Sequence, residues 1–304
     1  MGERISFAAY NRATMGYDPT PVPDATLEGW RQELEEGLGA LGVRWSVDGR
    51  EAWRERVGVD YTPALGQALR DHARAFAARV QALVPGLPDP EYTIRVVEED
   101  AYWSNWIDGS ADQGITLQIN THPRIEYKVD SALSLAAHEI GGHAMHVAAL
   151  RRGVAQGTVD PAALCLTVHA CEAFQMEGLA QVVLDLLGTA DETGGLHPLQ
   201  SLLRTWSAAL SNNAQLRLEA GEPVHDVLHD LVAAYPLANP MSLESGLRDR
   251  ARSPLLRSYI PVYGPSRALF LRAVALPDAR RAAFFRDAYT GLWTPDQLEA
   301  KLTA

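Results

Sequence analysis

The sequence of 304 residues is poor in cysteine, in lysine and in long apolar runs. Its two cysteines, Cys165 and Cys171, lie six residues apart in an apolar stretch predicted to be helical. A disulfide over that spacing would be strained, so we expect two buried free thiols. No apolar run approaches the roughly 20 residues of a membrane-spanning helix, and the chain does not open with a charged region followed by an apolar stretch. We therefore predict a cytoplasmic protein with no membrane partner.

Positive charge is also scarce, because 27 basic side chains stand against 38 acidic ones and the net charge is −11. Only two of the basic residues are lysines, Lys128 and Lys301. A protein that neutralises the phosphates of DNA or RNA seldom carries this excess of acidic groups, so the composition argues against a nucleic-acid partner. The hydrophobic content of 47% and the charged content of 21% are typical of a soluble globular protein.

Helical periodicity dominates the sequence, and a short region of strand pattern interrupts it. The predicted helices cover residues 26–41, 64–84, 131–150, 161–188, 197–218, 222–234, 265–275, 278–290 and 295–303. Residues 92–97 and 114–120 are predicted to be short strands. We expect a mainly α fold of the α+β type, in one domain over residues 1–304. Its two lobes would be about 1–128 and 129–304, around a cleft.

The most informative segment is His138-Glu139-Ile-Gly-Gly-His143, in an otherwise apolar helix. Two imidazoles beside a carboxylate are costly to bury without a partner, and a metal ion is a suitable one. The familiar zinc-protease motif separates its histidines by four residues, whereas here 143 − 138 = 5. Five residues of a regular α-helix leave the imidazoles roughly 140° apart. A π-helical turn brings them together, and Gly141 and Gly142 lie where that distortion is needed. The alternative is a pair of core histidines without a metal.

A third ligand should come from a neighbouring helix. A structural zinc site would use more cysteine, so an open catalytic site is favoured. Glu177 lies in an apolar helix 177 − 143 = 34 residues later, far enough for the chain to turn and return antiparallel. Weaker candidate ligands are His146, Glu172 and the pair His225 and His229, which has the four-residue spacing on a predicted surface helix.

The motifs His138-Glu139-Ile-Gly-Gly-His143 and Glu177-Gly-Leu-Ala resemble those of the HExxxH metallohydrolases with a downstream QEGLA-type motif. These are relatives of the tubulin-tail carboxypeptidases within the gluzincin-like group. The resemblance covers only about residues 130–180. It implies one Zn²⁺ ion bound by His138, His143 and Glu177, with Glu139 as general base. It also implies a gluzincin-like metallopeptidase fold, in which the edge strand of a small sheet lies over the metal-binding helix, and residues 114–120 suit that strand.

Such a site predicts hydrolysis of an amide bond in a peptide or a peptide-like small molecule. The oxyanion that develops needs a further donor. Residues 257–267 are rich in tyrosine, arginine and turn residues, and we predict Tyr263 as that donor. Tyr259, Arg267 and His169 are predicted substrate contacts. An aromatic-polar cluster, Tyr102, Trp103, Asn105 and Trp106, would line a substrate cleft or anchor a loop.

Three other functions compete with this prediction. The same site could tailor a small secondary metabolite instead of cleaving peptides. A helical di-iron oxygenase could use Glu139, His143, Glu172 and Glu177, but its usual Glu–His spacing is three and here 143 − 139 = 4. A metal-free binding protein on a peptidase scaffold would be expected to have lost Glu139 or a ligand, and none is missing.

Overall fold

The structure is a computed structural model, and it describes residues 5–59, 65–100, 104–110, 114–122, 125, 127–128, 131–165, 170–188, 196–252 and 254–303. His169, Tyr102 and Trp103 lie outside these ranges, so the roles predicted for them concern residues that the structure does not describe. The described chain is mainly helical with a small sheet, which confirms the predicted class. Among these residues, no helix combines the length and the apolar character needed to cross a bilayer.

The first part of the described chain contains the helices α1 (Phe7–Met15), α2 (Asp24–Ala40), α3 (Gly49–Val57) and α4 (Leu65–Leu83). The predictions for α2 and α4 are confirmed to within two residues at each end. α4 buries Leu69, Phe76 and Val80, which recur at helical spacing and face the core. α1 and α3 were not predicted. α3 has only Gly49, Trp53 and Val57 buried, too sparse a pattern for periodicity to detect.

The sheet has the strand order β2-β4-β3, formed by β2 (Tyr92–Val97), β3 (Asn105–Ser110) and β4 (Gly114–Asn120). β4 runs parallel to β2 and antiparallel to β3. Two further strands, β1 (Gly58–Val59) and β5 (Tyr127–Lys128), pair antiparallel with each other. The prediction that 114–120 is an edge strand is wrong, because β3 pairs along its other side. β4 therefore lies in the centre, and β3 is an edge.

Residues 131–155 form a continuous helical segment in three parts, α5 (Ser131–Leu135), a π-helix (Ala136–Ala144) and α6 (Met145–Ala155). The predicted π-helical distortion is confirmed, and it extends over nine residues. Tyr289 from a later helix donates a hydrogen bond to the carbonyl of Gly141 over 2.7 Å. Since both groups are buried, this bond satisfies a backbone acceptor within the wide turn.

The remaining chain is almost entirely helical. Its elements are a 3₁₀ turn (Pro161–Leu164), α7 (Glu172–Gln181), α8 (Val183–Leu187), α9 (His197–Glu219), α10 (Val224–Ala234), α11 (Pro240–Arg252), α12 (Pro254–Tyr259), a second 3₁₀ turn (Ile260–Val262), α13 (Tyr263–Val274), α14 (Asp278–Thr290) and α15 (Pro295–Thr303). The prediction of one continuous helix over 161–188 is wrong, because that range contains the first 3₁₀ turn and the separate helices α7 and α8. Both cysteines are free as predicted, but Cys165 is exposed and Cys171 is half-buried, so neither is the buried thiol that was expected.

The main hydrophobic core joins elements from both halves of the sequence. α4 and β4 pack with the π-helix, α7, α13 and α14 around buried side chains such as Phe76, Leu117, Ile140 and Phe270. A second cluster joins α2 and α3 to α9 through Leu34, Trp53 and Trp206. The core therefore does not divide at residue 128, the predicted boundary between the two lobes. Its centre is the packing of the π-helix against α7, which positions the candidate site.

Candidate metal centre

The structure brings the three predicted ligands together. Nε2 of His138 lies 3.5 Å from Oε2 of Glu177, and Nε2 of His143 lies 3.8 Å from Oε1 of the same carboxylate. One ligand atom from each of the three residues lies within 4.8 Å of the others. Ligand atoms about 2.0–2.2 Å from a tetrahedral zinc ion are about 3.3–3.6 Å apart, so the observed separations need only small adjustments.

The donor set fits a divalent cation. Glu177 and His143 are each only 6% exposed. Oε2 of Glu177 and Nδ1 of His143 are buried and have no hydrogen-bond partner among the described residues. A buried carboxylate oxygen without a partner is costly, and a cation beside it would remove that cost. His138 and His143 are the imidazoles that zinc prefers, and the carboxylate would partly neutralise the ion.

The charges of these groups depend on one another. Burial acts to raise the pKa of Glu177, but His138 and His143 outweigh burial and lower it to about 2. Burial also lowers the pKa of His143 to about 4, so its imidazole is neutral near pH 7. For His138, burial and the positive charge of Arg204 both act to lower the pKa. The carboxylates of Glu139 and Glu177 outweigh them, so the pKa of His138 is raised. The site therefore attracts positive charge.

Close helix contact, rather than backbone freedom, explains the glycines of the motif. Neither Gly141 nor Gly142 has a positive φ. A Cβ atom on Gly142 would lie 2.5 Å from Cα of Ala180 on α7, which is closer than real Cβ atoms approach a backbone. On the opposite side of α7, a Cβ on Gly178 would lie 2.4 Å from the ring of Phe270 on α13. α7 is thus held tightly between the π-helix and α13, with Glu177 directed at the histidines.

Replacing Gly142 by alanine is expected to lower the free energy of unfolding by about 1–3 kcal/mol, because the added methyl group forces α7 away from the π-helix. Zinc affinity should fall with it, since Glu177 moves with α7. Urea unfolding and zinc titration would measure both effects. Gly141→Ala is the matched control, because its Cβ would meet a side-chain methyl group of Val183 at 3.0 Å, a milder approach than 2.5 Å to a backbone atom. Equal losses in the two variants would contradict this explanation.

Glu139 lies beside the three ligands and is held by a residue from the sheet. Nδ2 of Asn105, at the start of β3, donates a hydrogen bond to Oε1 of Glu139 over 2.9 Å. The hydroxyl of Ser104 donates to Oδ1 of Asn105 over 3.0 Å, which directs the amide nitrogen towards Glu139. Burial, helped by the charge of Glu177 and opposed by that of His138, raises the pKa of Glu139 to about 7. A carboxylate with that pKa is suited to accept a proton near neutral pH.

The two predicted tyrosines lie behind the carboxylate of Glu177. The hydroxyl of Tyr259 donates to Oε1 of Glu177 over 2.5 Å, and the hydroxyls of Tyr259 and Tyr263 are 2.8 Å apart. Burial raises the pKa of both phenols, so both are protonated near neutral pH. Tyr259 therefore contacts a candidate ligand directly, whereas Tyr263 reaches it through Tyr259. A role for Tyr263 as oxyanion donor would require it to give up that contact.

Arg267 does not have the exposure that the predicted substrate contact requires. It is 1% exposed and donates to Oδ2 of Asp185 over 3.1 Å and to Oγ1 of Thr205 over 3.2 Å. It also donates to the carbonyl of Gln181 and the hydroxyl of Ser201. Because Gln181 is the last residue of α7, Arg267 anchors the helix that carries Glu177. The prediction for Arg267 is corrected to a buried structural role.

The weaker candidate ligands lie outside the three-residue cluster. His146 is fully buried, and its Nε2 lies 3.3 Å from the carbonyl oxygen of Gly291. Glu172 begins α7, more than one helical turn before Glu177, and accepts a hydrogen bond from the thiol of Cys171. The side chains of His225 and His229 are 82% and 84% exposed, as expected for a surface helix.

Two further residues near the site were not predicted for these roles. Asn105 was seen only as part of an aromatic-polar cluster, and its hydrogen bond to Glu139 depends on the unpredicted strand β3. Arg204 was not identified at all, yet its charge acts on His138 from α9. No local sequence signal marks either role, because both depend on packing between distant segments.

Comparison with known proteins supports the fold only. The chain matches no protein-family model and no curated protein. Among solved structures it is similar to one described as "the putative lipoprotein from Colwellia psychrerythraea", with a TM-score of 0.66 and 15% sequence identity. The similarity covers 99% of this chain and 52% of that chain, so this chain spans about half the length of that structure. At this identity the likeness concerns the fold and not the activity.

Proposed function

We propose that this protein is a zinc-dependent hydrolase of the metallopeptidase type, with a gluzincin-like fold, that cleaves an amide bond in a peptide or peptide-like small molecule. One observation carries the proposal. A pair of imidazoles and a carboxylate converge within 4.8 Å, with a second buried carboxylate, Glu139, beside them. A purely structural metal site has no use for a carboxylate whose pKa is raised towards neutrality.

In this proposal His138, His143 and Glu177 would hold the ion. When bound, zinc supplies Lewis acidity, which polarises a carbonyl group and makes water more acidic. Glu139 accepts the proton of the attacking water. Since Asn105 holds Oε1 of Glu139, we assign the proton transfer to Oε2. Glu139 then delivers that proton to the leaving amine. The raised pKa suits both directions of transfer.

Arg204 and the sheet edge favour an extended substrate with a carboxylate. The positive charge of Arg204 acts on His138, and in this proposal it would attract the terminal carboxylate of a peptide. β3 is an edge of its sheet and begins at Asn105, next to Glu139. Unpaired backbone groups at a sheet edge bind extended peptides as an added strand. These features favour a peptide over a compact metabolite and suggest cleavage near a C-terminus.

The alternatives have less support from the described residues. Among the described residues, the only group suited to hold a metal ion contains one carboxylate and two histidines, whereas a di-iron site needs more carboxylates and Glu172 is not part of the group. A binding protein without catalysis would have no reason to keep Glu139 buried and hydrogen-bonded. The prediction of Tyr263 as oxyanion donor stays a prediction.

Metal content and chelator-sensitive cleavage test the proposal together. We expect about one zinc per purified chain and hydrolysis of members of a peptide library that stops on chelation and returns with zinc. Peptides with a free C-terminus should be cleaved faster than their amidated counterparts. His225→Ala is the matched control, because this exposed histidine lies outside the cluster and its loss should leave the zinc content unchanged. Two irons per chain, or no bound metal, would reject the proposal.

A further inference from the structure

The two carboxylate oxygens of Glu177 have different surroundings. Oε1 accepts a short hydrogen bond of 2.5 Å from the hydroxyl of Tyr259 and lies 3.8 Å from Nε2 of His143. Oε2 is buried and has no hydrogen-bond partner among the described residues, and Nε2 of His138 lies 3.5 Å from it. A ligating carboxylate can bind a cation through one oxygen or through both. What holds Oε1 therefore determines how Glu177 can bind.

The order of proton donors in this group follows from simple counting. Each tyrosine hydroxyl has one proton to donate, and an ionised carboxylate only accepts. Since Tyr259 donates its proton to Glu177, the hydrogen bond between the two tyrosines must use the proton of Tyr263. The chain of donors therefore runs from Tyr263 to Tyr259 to Oε1 of Glu177. With Tyr263 behind it, the oxygen of Tyr259 also has a donor, so the whole chain is satisfied.

The local fold holds both tyrosines against α7. Tyr259 ends α12 and Tyr263 begins α13, with one 3₁₀ turn between them, so the spacing of four residues places the rings 5.4 Å apart, edge to face. Nε2 of Gln181 on α7 donates to the carbonyl of Tyr263 over 3.2 Å. The tyrosine pair and Glu177 are thus fixed to the same helix.

We propose that the Tyr259–Tyr263 hydroxyl pair makes Glu177 a one-oxygen ligand, with Oε1 held by Tyr259 and the unpartnered Oε2 binding the cation. Both tyrosines are positioning residues, and the inference rests on the proposed metal site. A glutamate that binds through one oxygen leaves one more coordination position for water and for the substrate carbonyl. Hydrogen-bonded groups behind metal ligands commonly fix ligand orientation in this way.

Cobalt(II) provides the test, because it accepts zinc ligands and absorbs visible light more strongly with four ligands than with five. We expect the cobalt-loaded wild type to absorb strongly. Tyr259→Phe should lose intensity, because the released Oε1 joins the coordination sphere. Tyr263→Phe should show a smaller loss. Tyr235→Phe is the control and should keep the wild-type spectrum, since Tyr235 stacks on Trp45 in the second hydrophobic cluster.

The outcomes separate this inference from the proposed function. A wild type that binds no cobalt would overturn both. A wild type that binds cobalt, with a Tyr259→Phe spectrum equal to its own, would overturn only the role of the tyrosines. Circular dichroism checks that each variant is folded. If Tyr259→Phe does not fold, Tyr263→Phe decides, and an unchanged spectrum in that variant would overturn the proposal.

Discussion

Replacing Glu139 by glutamine is expected to lower the rate of hydrolysis by about 10²- to 10⁴-fold, the usual contribution of a general base, while zinc content stays unchanged. Glutamine has the same shape, and its carbonyl oxygen can still accept the hydrogen bond from Asn105. It cannot accept the proton of water near neutral pH. Glu139 is not among the three clustered ligands, so the metal should remain. Steady-state kinetics and metal analysis on the same protein sample would measure both effects.

The stability of this variant should not fall. Burial raises the pKa of Glu139, which means that the ionised carboxylate is poorly stabilised where it lies. A neutral amide avoids that cost. Glu172→Gln is the matched control, because it makes the same change on a half-buried glutamate outside the cluster and should leave activity and zinc content near wild type. Full activity in Glu139→Gln would reject the proposed base, and loss of zinc would show that Glu139 is itself a ligand.

The unusual motif spacing was the most useful signal in the sequence. A separation of five positions from His138 to His143 is incompatible with a shared site on a regular α-helix, so the spacing predicts a π-helix, and the structure has one over Ala136–Ala144. The role of the glycines was only partly predictable. Backbone freedom is a local property that the sequence suggests, whereas the contact between Gly142 and Ala180 joins two helices distant in sequence.

The strand that carries Asn105 could not be predicted from its own residues. β3 has the sequence Asn-Trp-Ile-Asp-Gly-Ser, and three of these six residues, Asn105, Asp108 and Gly109, are of types that are depleted in strands. Its pairing with the strongly patterned β4 forms the strand, with Ile107 opposite Leu117. Missing β3 caused the error about 114–120 and concealed the partner of Glu139. One unrecognised edge strand thus accounts for errors in both the fold and the site.

The tyrosines show a second reason why the site could not be predicted completely from the sequence. The composition of residues 257–267 correctly marked a segment that reaches the site, but it could not rank its members. Tyr259 and Tyr263 are a helical turn apart, and the packing of α13 and the preceding 3₁₀ turn against α7 determines which of them meets Glu177. From the sequence alone, a buried structural Arg267 cannot be distinguished from an arginine that binds substrate. Its burial beside Asp185 becomes visible only when α8 and α13 are placed together.

Zinc is expected to raise the free energy of unfolding of the wild type by about 4 kcal/mol when its free concentration is 1,000 times the dissociation constant, because the ion binds the folded chain. His143→Ala should lose nearly all of this gain at the same zinc concentration, since it removes a ligand that is only 6% exposed. His225→Ala, which changes an exposed histidine, should keep the full gain. Urea unfolding with and without zinc would measure all three proteins. Equal stabilisation of His143→Ala and wild type would mean that zinc binds elsewhere, and the proposed site would then be wrong.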